Sequence, residues 1–252
     1  NDRADFNLPA NQNKLIEAVL EANQNTIVIL NTGSPIHMPW AHKASAIVQT
    51  WFAGQEFGNA LVDILSGKVN PSGKLPTTFP AKIEDTPAYQ FYPGTDLQMN
   101  YHEKLLVGHR WYEKKSVMPL FYFGHGLSYT NFMYQNLEVS VDKDFAVSCR
   151  FEVQNIGNIL GQEIAQCYVG YSNPLNDEPC KTLQGFMKAE IRPNEVKNFE
   201  LQLGPRNFSY WSVDANAWQI KGGAYKILIG SSSKDICLET TINLEQALEV
   251  LQ

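Results

Sequence analysis

The residue types that acid–base or sugar-binding chemistry needs are most concentrated between residues 101 and 110. Tyr101, Glu103, His109 and Arg110 supply a hydroxyl, a carboxylate, an imidazole and a guanidinium in this stretch. Carboxyl and imidazole groups transfer protons, and arginine holds anionic groups through charge-assisted hydrogen bonds. We therefore treat Tyr101, Glu103 and Arg110 as candidates for a substrate pocket, with packing between domains as the competing interpretation.

Other polar residues favour structural roles. Glu56 follows Gly54 and Gln55 at the predicted start of a helix, where a carboxylate stabilises the first-turn N–H groups and the helix dipole. The four cysteines form no CxxC pair and show no ligand spacing, so we expect no metal and no cofactor. Three pairings are open to them, and we expect buried free thiols. The cysteines are Cys149, Cys167, Cys180 and Cys237.

Charge and hydropathy limit the classes of partner. The 252 residues carry a formal net charge of -6, which argues against neutralising the phosphates of nucleic acid or an anionic membrane surface. No apolar run approaches the roughly 20 residues of a membrane helix. The first residue is Asn1 rather than Met, and we interpret it as a start inside a longer protein.

Helix and strand patterns alternate in the first part of the sequence. Leu15, Ile16, Val19 and Leu20 recur at helical spacing after possible caps at residues 11–13. Residues 26–30 and 46–52 are short apolar runs typical of strands covered on both faces. A second helix is predicted from about residue 57 to 65, with Gly67 as its C′ residue. This order favours part of an α/β layered domain.

The pattern changes near residue 130. Residues 68–130 are rich in proline, glycine and aromatic residues, and little regular structure is predicted there. Beyond them, alternating runs at 145–153, 164–168, 196–203, 225–229 and 236–242 predict a β-sandwich of about seven strands. We expect four aromatic side chains to lie in its core: Phe208, Tyr210, Trp211 and Trp218.

Several motifs resemble family 3 glycoside hydrolases of the β-glucosidase type. WFAGQEFGNA at 51–60 and NPSGKLP at 70–76 are similar to a paired signature of that family. VGHRWY at 107–112 and FGHGLSYT at 123–130 continue the match, although the family usually has tyrosine at the position of His109. The resemblance runs essentially from end to end.

The resemblance implies a fold and an activity. Residues 1–130 would be the C-terminal part of the family's α/β sandwich domain, and residues 131–252 a fibronectin type III-like β-sandwich. The family hydrolyses a terminal β-linked sugar, usually glucose, with retention, so the implied substrate is a β-linked oligosaccharide or an aryl glucoside. An Asp nucleophile and a Glu acid/base carry this reaction.

The same resemblance implies that neither catalytic carboxylate lies in this chain. The Asp belongs to an N-terminal barrel, which is therefore an expected partner. The Glu belongs to a W-E-x-E-G-x-D-R stretch and would fall just before Asn1. Asp2 and Arg3 would then border the acid/base loop, where Arg3 could hold the loop; a solvated terminal pair is the alternative.

Three other interpretations stay open from the sequence. The chain could be a non-catalytic carbohydrate-binding or interaction module. It could be one piece of a nicked or two-subunit enzyme, and an exposed apolar patch on the α/β half would favour that version. The sugar could be different, as in the family's β-xylosidases and N-acetylglucosaminidases.

Overall fold

The protein forms two compact units that are interleaved in sequence. The computed structural model describes residues 5–94, 96 and 98–245. Of these, residues 5–69, 78–94, 96, 98–102 and 118–121 form the first unit, and residues 70–77, 103–117 and 122–245 form the second. No helix within the described ranges is long and apolar enough to cross a membrane.

The first unit contains the helix–strand–strand–helix order that the sequence predicts. Its elements are α1 Gln12–Ala22, β1 Ile27–Leu30, β2 Ala46–Gln49 and α2 Phe57–Leu65, with short 3-10 turns at Ala41–Lys43 and Ile83–Asp85. The two strands pair in parallel, with Ile27 opposite Ala46. Strand β2 is shorter than predicted, since Trp51 has a φ of 53°, outside the β region.

Helix α2 begins and ends where the sequence predicts, but Glu56 at its start has a different hydrogen-bond partner from the one expected. Gly67 follows the helix with a φ of 76°, the left-handed conformation that glycine adopts most readily. Glu56 occupies the N-cap position, but its carboxylate accepts a hydrogen bond from the Asn59 side chain at 2.6 Å. The prediction that Glu56 binds backbone N–H groups is therefore wrong, because the nearby amide side chain takes that place.

The core of the first unit is small and covers one side of its elements. Trp40 is fully buried, and its indole Nε1 donates to Asn13 Oδ1 at 2.9 Å. On β1, Val28 and Leu30 are buried whereas Ile27 and Ile29 are exposed. The apolar face predicted for α1 is only partly covered: Leu20 is buried, but Leu15 is 64% exposed. The described residues therefore leave an apolar surface on this unit.

The second unit is a β-sandwich of the predicted seven strands with one additional hairpin. A three-stranded sheet has the order β3–β4–β7, and a four-stranded sheet has the order β11–β10–β5–β6. The strands are β3 Phe132–Val141, β4 Val147–Asn155, β5 Gly161–Tyr171, β6 Thr182–Ile191, β7 Val196–Leu203, β10 Gly223–Gly230 and β11 Ile236–Leu244. The hairpin pairs β8 Ser209–Ser212 with β9 Ala217–Ile220. The described fold is thus mostly β-sheet with few helices.

Alternating side chains from both sheets form one core between them. Val147, Cys149, Phe151 and Val153 of β4 are at most 2% exposed. They belong to one apolar cluster with residues of β5 and β10, and this shared cluster holds the two sheets together. All four thiols are free. Cys149 and Cys167 are buried as predicted, but Cys180 and Cys237 are exposed, because they lie outside this cluster.

The hairpin corrects the prediction for the aromatic group. Phe208 is 4% exposed and belongs to the core. Tyr210 and Trp211 are 47% and 45% exposed, so their assignment to the core is wrong. The physical reason is that β8 and β9 pair with each other and join neither large sheet.

The irregular segment contains one short helix that the sequence analysis did not predict. This helix, α3 His109–Lys114, is six residues long and belongs to the second unit. In the first unit, a single bridge joins Phe79 to Phe121, and the two rings pack edge to face with centroids 6.2 Å apart. The low content of regular structure predicted for residues 68–130 is otherwise confirmed.

Candidate functional site

The predicted site residues that the structure describes are divided between the two units. Asp2 and Arg3 lie outside the described residues. Tyr101 belongs to the first unit and is 73% exposed. Glu103 and Arg110 belong to the second unit, where Arg110 Nη1 donates to the Leu105 carbonyl at 3.4 Å. That contact holds the approach to α3, so the geometry places Arg110 in local packing.

His109, which the sequence analysis set aside, begins α3 in a buried environment. Its ring stacks on Phe123 with centroids 4.8 Å apart and meets Tyr168 edge-on at 5.9 Å. Burial, with the positive charges of Arg110 and Lys181 nearby, lowers the pKa of His109 to about 4. Its Nε2 atom has no hydrogen-bond partner among the residues that the structure describes. His109 is therefore a neutral ring at pH 7.

Glu113 on the same helix forms a buried ion pair with Lys181, which directly precedes β6. Lys181 Nζ contacts Glu113 Oε1, and the two side chains are only 14% and 15% exposed. The ammonium also lies 5.8 Å from the ring centre of Tyr168. Burial raises the pKa of Glu113 although Lys181 opposes the change. We call His109, Glu113, Phe123, Tyr168 and Lys181 the α3 cluster.

A second buried network ties the NPSGKLP motif to the sandwich of the second unit. Lys74 Nζ lies 3.1 Å from Glu163 Oε1, with side chains 11% and 4% exposed, and 3.1 Å from the Gly126 carbonyl. The Tyr134 hydroxyl donates to the same carboxylate oxygen at 2.9 Å. Burial raises the pKa of Glu163 despite Lys74 and Tyr134, which favour its ionised form. We call Lys74, Glu163 and Tyr134 the lysine clamp.

Asn70 fixes the start of the same motif. Its side-chain Nδ2 donates to the Leu160 carbonyl at 3.0 Å, and its Oδ1 accepts from the Ser128 hydroxyl at 3.0 Å and from the Tyr129 N–H at 2.8 Å. Backbone bonds continue the contact, since Leu75 N–H donates to the His125 carbonyl at 2.8 Å. The amide thus joins residues 70–75 to residues 125–129 and to β5's leading turn.

The FGHG motif supplies glycine where a side chain has no room. A Cβ atom at Gly126 would lie 2.2 Å from the Gly73 carbonyl oxygen. Gly124 has a φ of 79°, and a Cβ there would lie 2.1 Å from Gln166 Oε1. Gln166 donates instead to the Gly124 carbonyl at 3.1 Å and to the Ser231 carbonyl at 2.7 Å. This close approach packs two signature motifs against β5.

These buried groups position the chain rather than transform a substrate. Glu113 and Glu163 are each held by a lysine inside packed protein, so neither is free to attack a sugar or protonate a leaving group. Depressions of about 410 Å³ near residues 90–102 and about 290 Å³ over the outer face of β3, β4 and β7 contain neither carboxylate. Over the described part of the chain, no group of three or more potential metal ligands occurs.

The family comparison decides the identity of this scaffold. Residues 1–129 match the family described as "Glycosyl hydrolase family 3 C-terminal domain", which is more than half of the chain. Residues 163–233 match the "Fibronectin type III-like domain". The chain belongs to glycosyl hydrolase family 3. The resemblance carried by its motifs is thereby confirmed.

Relatives in this family match the chain over nearly its whole length. It is 40% identical to thermostable beta-glucosidase B of Acetivibrio thermocellus over 252 residues, which is 99% of this chain and 33% of the relative. The structure of a Kluyveromyces marxianus beta-glucosidase in complex with glucose superposes with a TM-score of 0.93 at 36% identity, over 97% of this chain and 30% of that one. A Bifidobacterium adolescentis GH3 beta-glucosidase gives a TM-score of 0.95 at 33% identity, over 100% and 37%. The chain therefore spans about a third of the length of these relatives.

The spacing of polar residues in the NPSGKLP motif, which the sequence analysis did not use, also predicts which of its side chains contact the sandwich. Asn70, Ser72 and Lys74 are spaced by two residues, and side chains at that spacing share one side of an extended segment. All three face the same part of the sandwich: Ser72 Oγ lies 3.5 Å from Gln162 Oε1, between the contacts of Asn70 and Lys74. The alternation of polar residues in NPSGKLP thus indicates an anchoring edge.

Proposed function

We propose that this chain is the C-terminal part of a retaining β-glycosidase, specifically a β-glucosidase that removes terminal non-reducing β-D-glucose. The observation that carries the proposal is the end-to-end match to beta-glucosidases, at 40% identity over 99% of the chain. The K. marxianus relative was solved with glucose bound. In our proposal the substrate is a β-linked oligosaccharide or an aryl glucoside.

The proposed role of this chain is to shape and stabilise the site. A retaining glycosidase needs two carboxyl groups about 5–5.5 Å apart, one on each side of the glycosidic bond. The buried carboxylates described above are occupied by Lys74 and Lys181. We therefore assign the nucleophile to the N-terminal barrel portion of the whole protein, the proposed partner of this chain. The acid/base is assigned to the loop that Asp2 and Arg3 would border, and it also lies outside this chain.

We also propose that residues 1–130 are the C-terminal part of an α/β sandwich domain and residues 131–252 a fibronectin type III-like domain. Parallel strands are normally covered on both faces and accompanied by further strands. Exposed Ile27 and Ile29 on β1, together with exposed Leu15 on α1, support the addition of more elements to the first unit. In the whole enzyme, upstream strands of the same domain would cover this surface.

The site residues keep their proposed roles in that assembly. Asp2 and Arg3 would border the acid/base loop. Tyr101, 73% exposed, is available to a pocket or to a neighbouring domain. Glu103, which precedes α3, and Arg110, which lies in it, keep the same two proposed roles, although the contact of Arg110 with the Leu105 carbonyl is local. Substitution of Tyr101 by alanine should then raise KM for a disaccharide more than for an aryl glucoside.

The test compares the chain with the polypeptide that includes the barrel. The chain alone is expected to leave p-nitrophenyl β-D-glucoside intact, because paired-carboxylate catalysis needs both groups. The longer polypeptide is expected to hydrolyse it and to release β-glucose first, as seen by NMR of the anomeric proton. Turnover by the chain alone that a glucosidase inhibitor blocks would refute the assignment of the carboxylates. A preference for β-xyloside or N-acetylglucosaminide would refute the assignment of the sugar.

A further inference from the structure

The β8–β9 hairpin presents a partly exposed aromatic surface. Each strand has four residues, and both pair only with one another. Val213 in the connecting turn is 81% exposed, and Trp211 is 45% exposed. Exposed apolar residues that lie close together, unlike single ones, can mark a binding surface.

The two faces of the hairpin differ in chemistry. Trp211 lies directly opposite Trp218, so both indoles share one face, and their ring centres are 5.5 Å apart at an angle of 62°. Tyr210 and Gln219 occupy the other face, where the hydroxyl donates to Gln219 Oε1 at 3.2 Å. One face of the hairpin therefore carries the two indole rings, whereas on the other face Tyr210 and Gln219 hydrogen-bond to each other.

Arg206 completes the tryptophan face. Its guanidinium carbon lies over the Trp218 ring, 2.9 Å from the ring centre, in a cation–π contact. Within the described ranges, the hydrogen bonds found at Arg206 involve its carbonyl oxygen and not its guanidinium, so the guanidinium donors remain available. Arg206 and Trp211 both lie against the Trp218 ring.

An exposed indole beside the free N–H groups of a guanidinium has the chemistry needed to bind a sugar ring. A β-linked glucose ring carries all its hydroxyls equatorially, which leaves two faces of C–H groups and a rim of hydroxyls. The C–H face stacks on an aromatic ring, and the rim accepts hydrogen bonds from a guanidinium. We propose that the Trp211–Trp218–Arg206 face binds a neutral β-glucan chain.

Charge favours a neutral chain over an acidic one. The protein carries a formal net charge of -6, and Asp214 lies in the turn of the same hairpin. Arg206 contributes a positive charge to the face itself, whereas the net charge and Asp214 disfavour a long polyanion; a neutral glucan meets no such repulsion. The choice of a glucan rests on the proposed β-glucosidase function, because a surface site of this kind holds the enzyme near its own substrate.

The experiment measures binding without turnover. The 252-residue chain is run in native gels that contain laminarin, barley β-glucan or hydroxyethylcellulose, and retardation gives the affinity. Trp211→Ala is expected to lower affinity for the bound glucan by about tenfold, and Arg206→Lys by about threefold, since lysine lacks the planar donor group. Tyr210→Phe, on the opposite face, is the matched control and should stay within about twofold of wild type.

The outcomes separate this site from the catalytic proposal. The site is overturned if none of the three glucans retards the wild type. It is also overturned if Trp211→Ala is retarded as strongly as the wild type while its circular dichroism spectrum is unchanged. Stronger retardation by carboxymethylcellulose than by neutral glucans overturns the choice of ligand. If the glucans do not retard the chain but the barrel-containing wild type hydrolyses p-nitrophenyl β-D-glucoside, the glucan site is refuted and the enzyme proposal stands. If the glucans retard the chain but the barrel-containing protein does not hydrolyse that substrate, the enzyme proposal is refuted and glucan binding stands.

Discussion

Replacement of His109 by phenylalanine should remove a pH-dependent part of the stability of the second unit. Phenylalanine keeps the ring that stacks on Phe123 but cannot take up a proton. In the folded protein, burial lowers the pKa of His109 to about 4, below its ordinary value of 6.5. The unfolded chain therefore binds more protons between these two values, and His109 lowers stability as the pH falls through that window.

The size of the effect follows from the two pKa values. With a pKa of 6.5 in the unfolded chain and about 4 in the folded one, acidification from pH 7 to pH 5 costs about 2 kcal/mol through His109. Glu113 and Glu163 act in the opposite direction, because burial raises the pKa of each and protonation then favours the folded state. Both carboxyls remain in the variant, so the difference between the two proteins isolates His109.

Urea denaturation followed by the β-sheet circular dichroism signal is the suitable assay. Nine of the eleven strands in the described residues belong to the second unit, so this signal reports mainly on it. The change in free energy of unfolding between pH 7 and pH 5 should differ by about 2 kcal/mol between wild type and His109→Phe. His42→Gln, at an exposed position, should retain the wild-type change. Equal changes in wild type and His109→Phe would refute the buried neutral histidine.

Two further predictions concern the packing of the signature motifs, both read out as free energies of unfolding in urea. Lys74→Met leaves the buried Glu163 carboxylate without its partner and should destabilise the second unit by about 3 kcal/mol. The double variant Lys74→Met/Glu163→Gln should recover a large part of that loss. No recovery in the double variant would contradict the lysine clamp. Gly126→Ala forces a Cβ to within 2.2 Å of the Gly73 carbonyl and should cost about 1–3 kcal/mol, whereas Gly73→Ala, with open space around it, should cost less than about 1 kcal/mol. Equal costs at the two glycines would argue against the close approach.

Elements with a strong local pattern could be predicted from the sequence. Strand β7 was predicted at 196–203 and lies at Val196–Leu203, because apolar and polar residues alternate along it. Helix α2 had both an apolar stripe and a glycine stop. Helix α3 has six residues and depends on the burial of His109 and Tyr112, a tertiary effect that no local pattern displays.

Contacts between distant positions could not be predicted. Lys74 and Glu163 are 89 positions apart, and nothing near either residue identifies the other as its partner. The exposure of Trp211 was missed for a related reason. Aromatic residues are usually buried, and only the pairing of β8 with β9 alone removes this one from the core.

The lysine clamp also limits how such proteins can be recombined. Its lysine comes from residues 70–77 and its carboxylate from β5, with residues 78–102 of the first unit between them in the chain. A crossover between two homologous genes anywhere from codon 75 to codon 162 would inherit the lysine from one parent and its acid from the other. Chimeras that inherit one member without the other would lose stability in the second unit, as the Lys74→Met variant is expected to. Exchange of the β-sandwich between relatives is therefore constrained by residues that precede it by more than fifty positions.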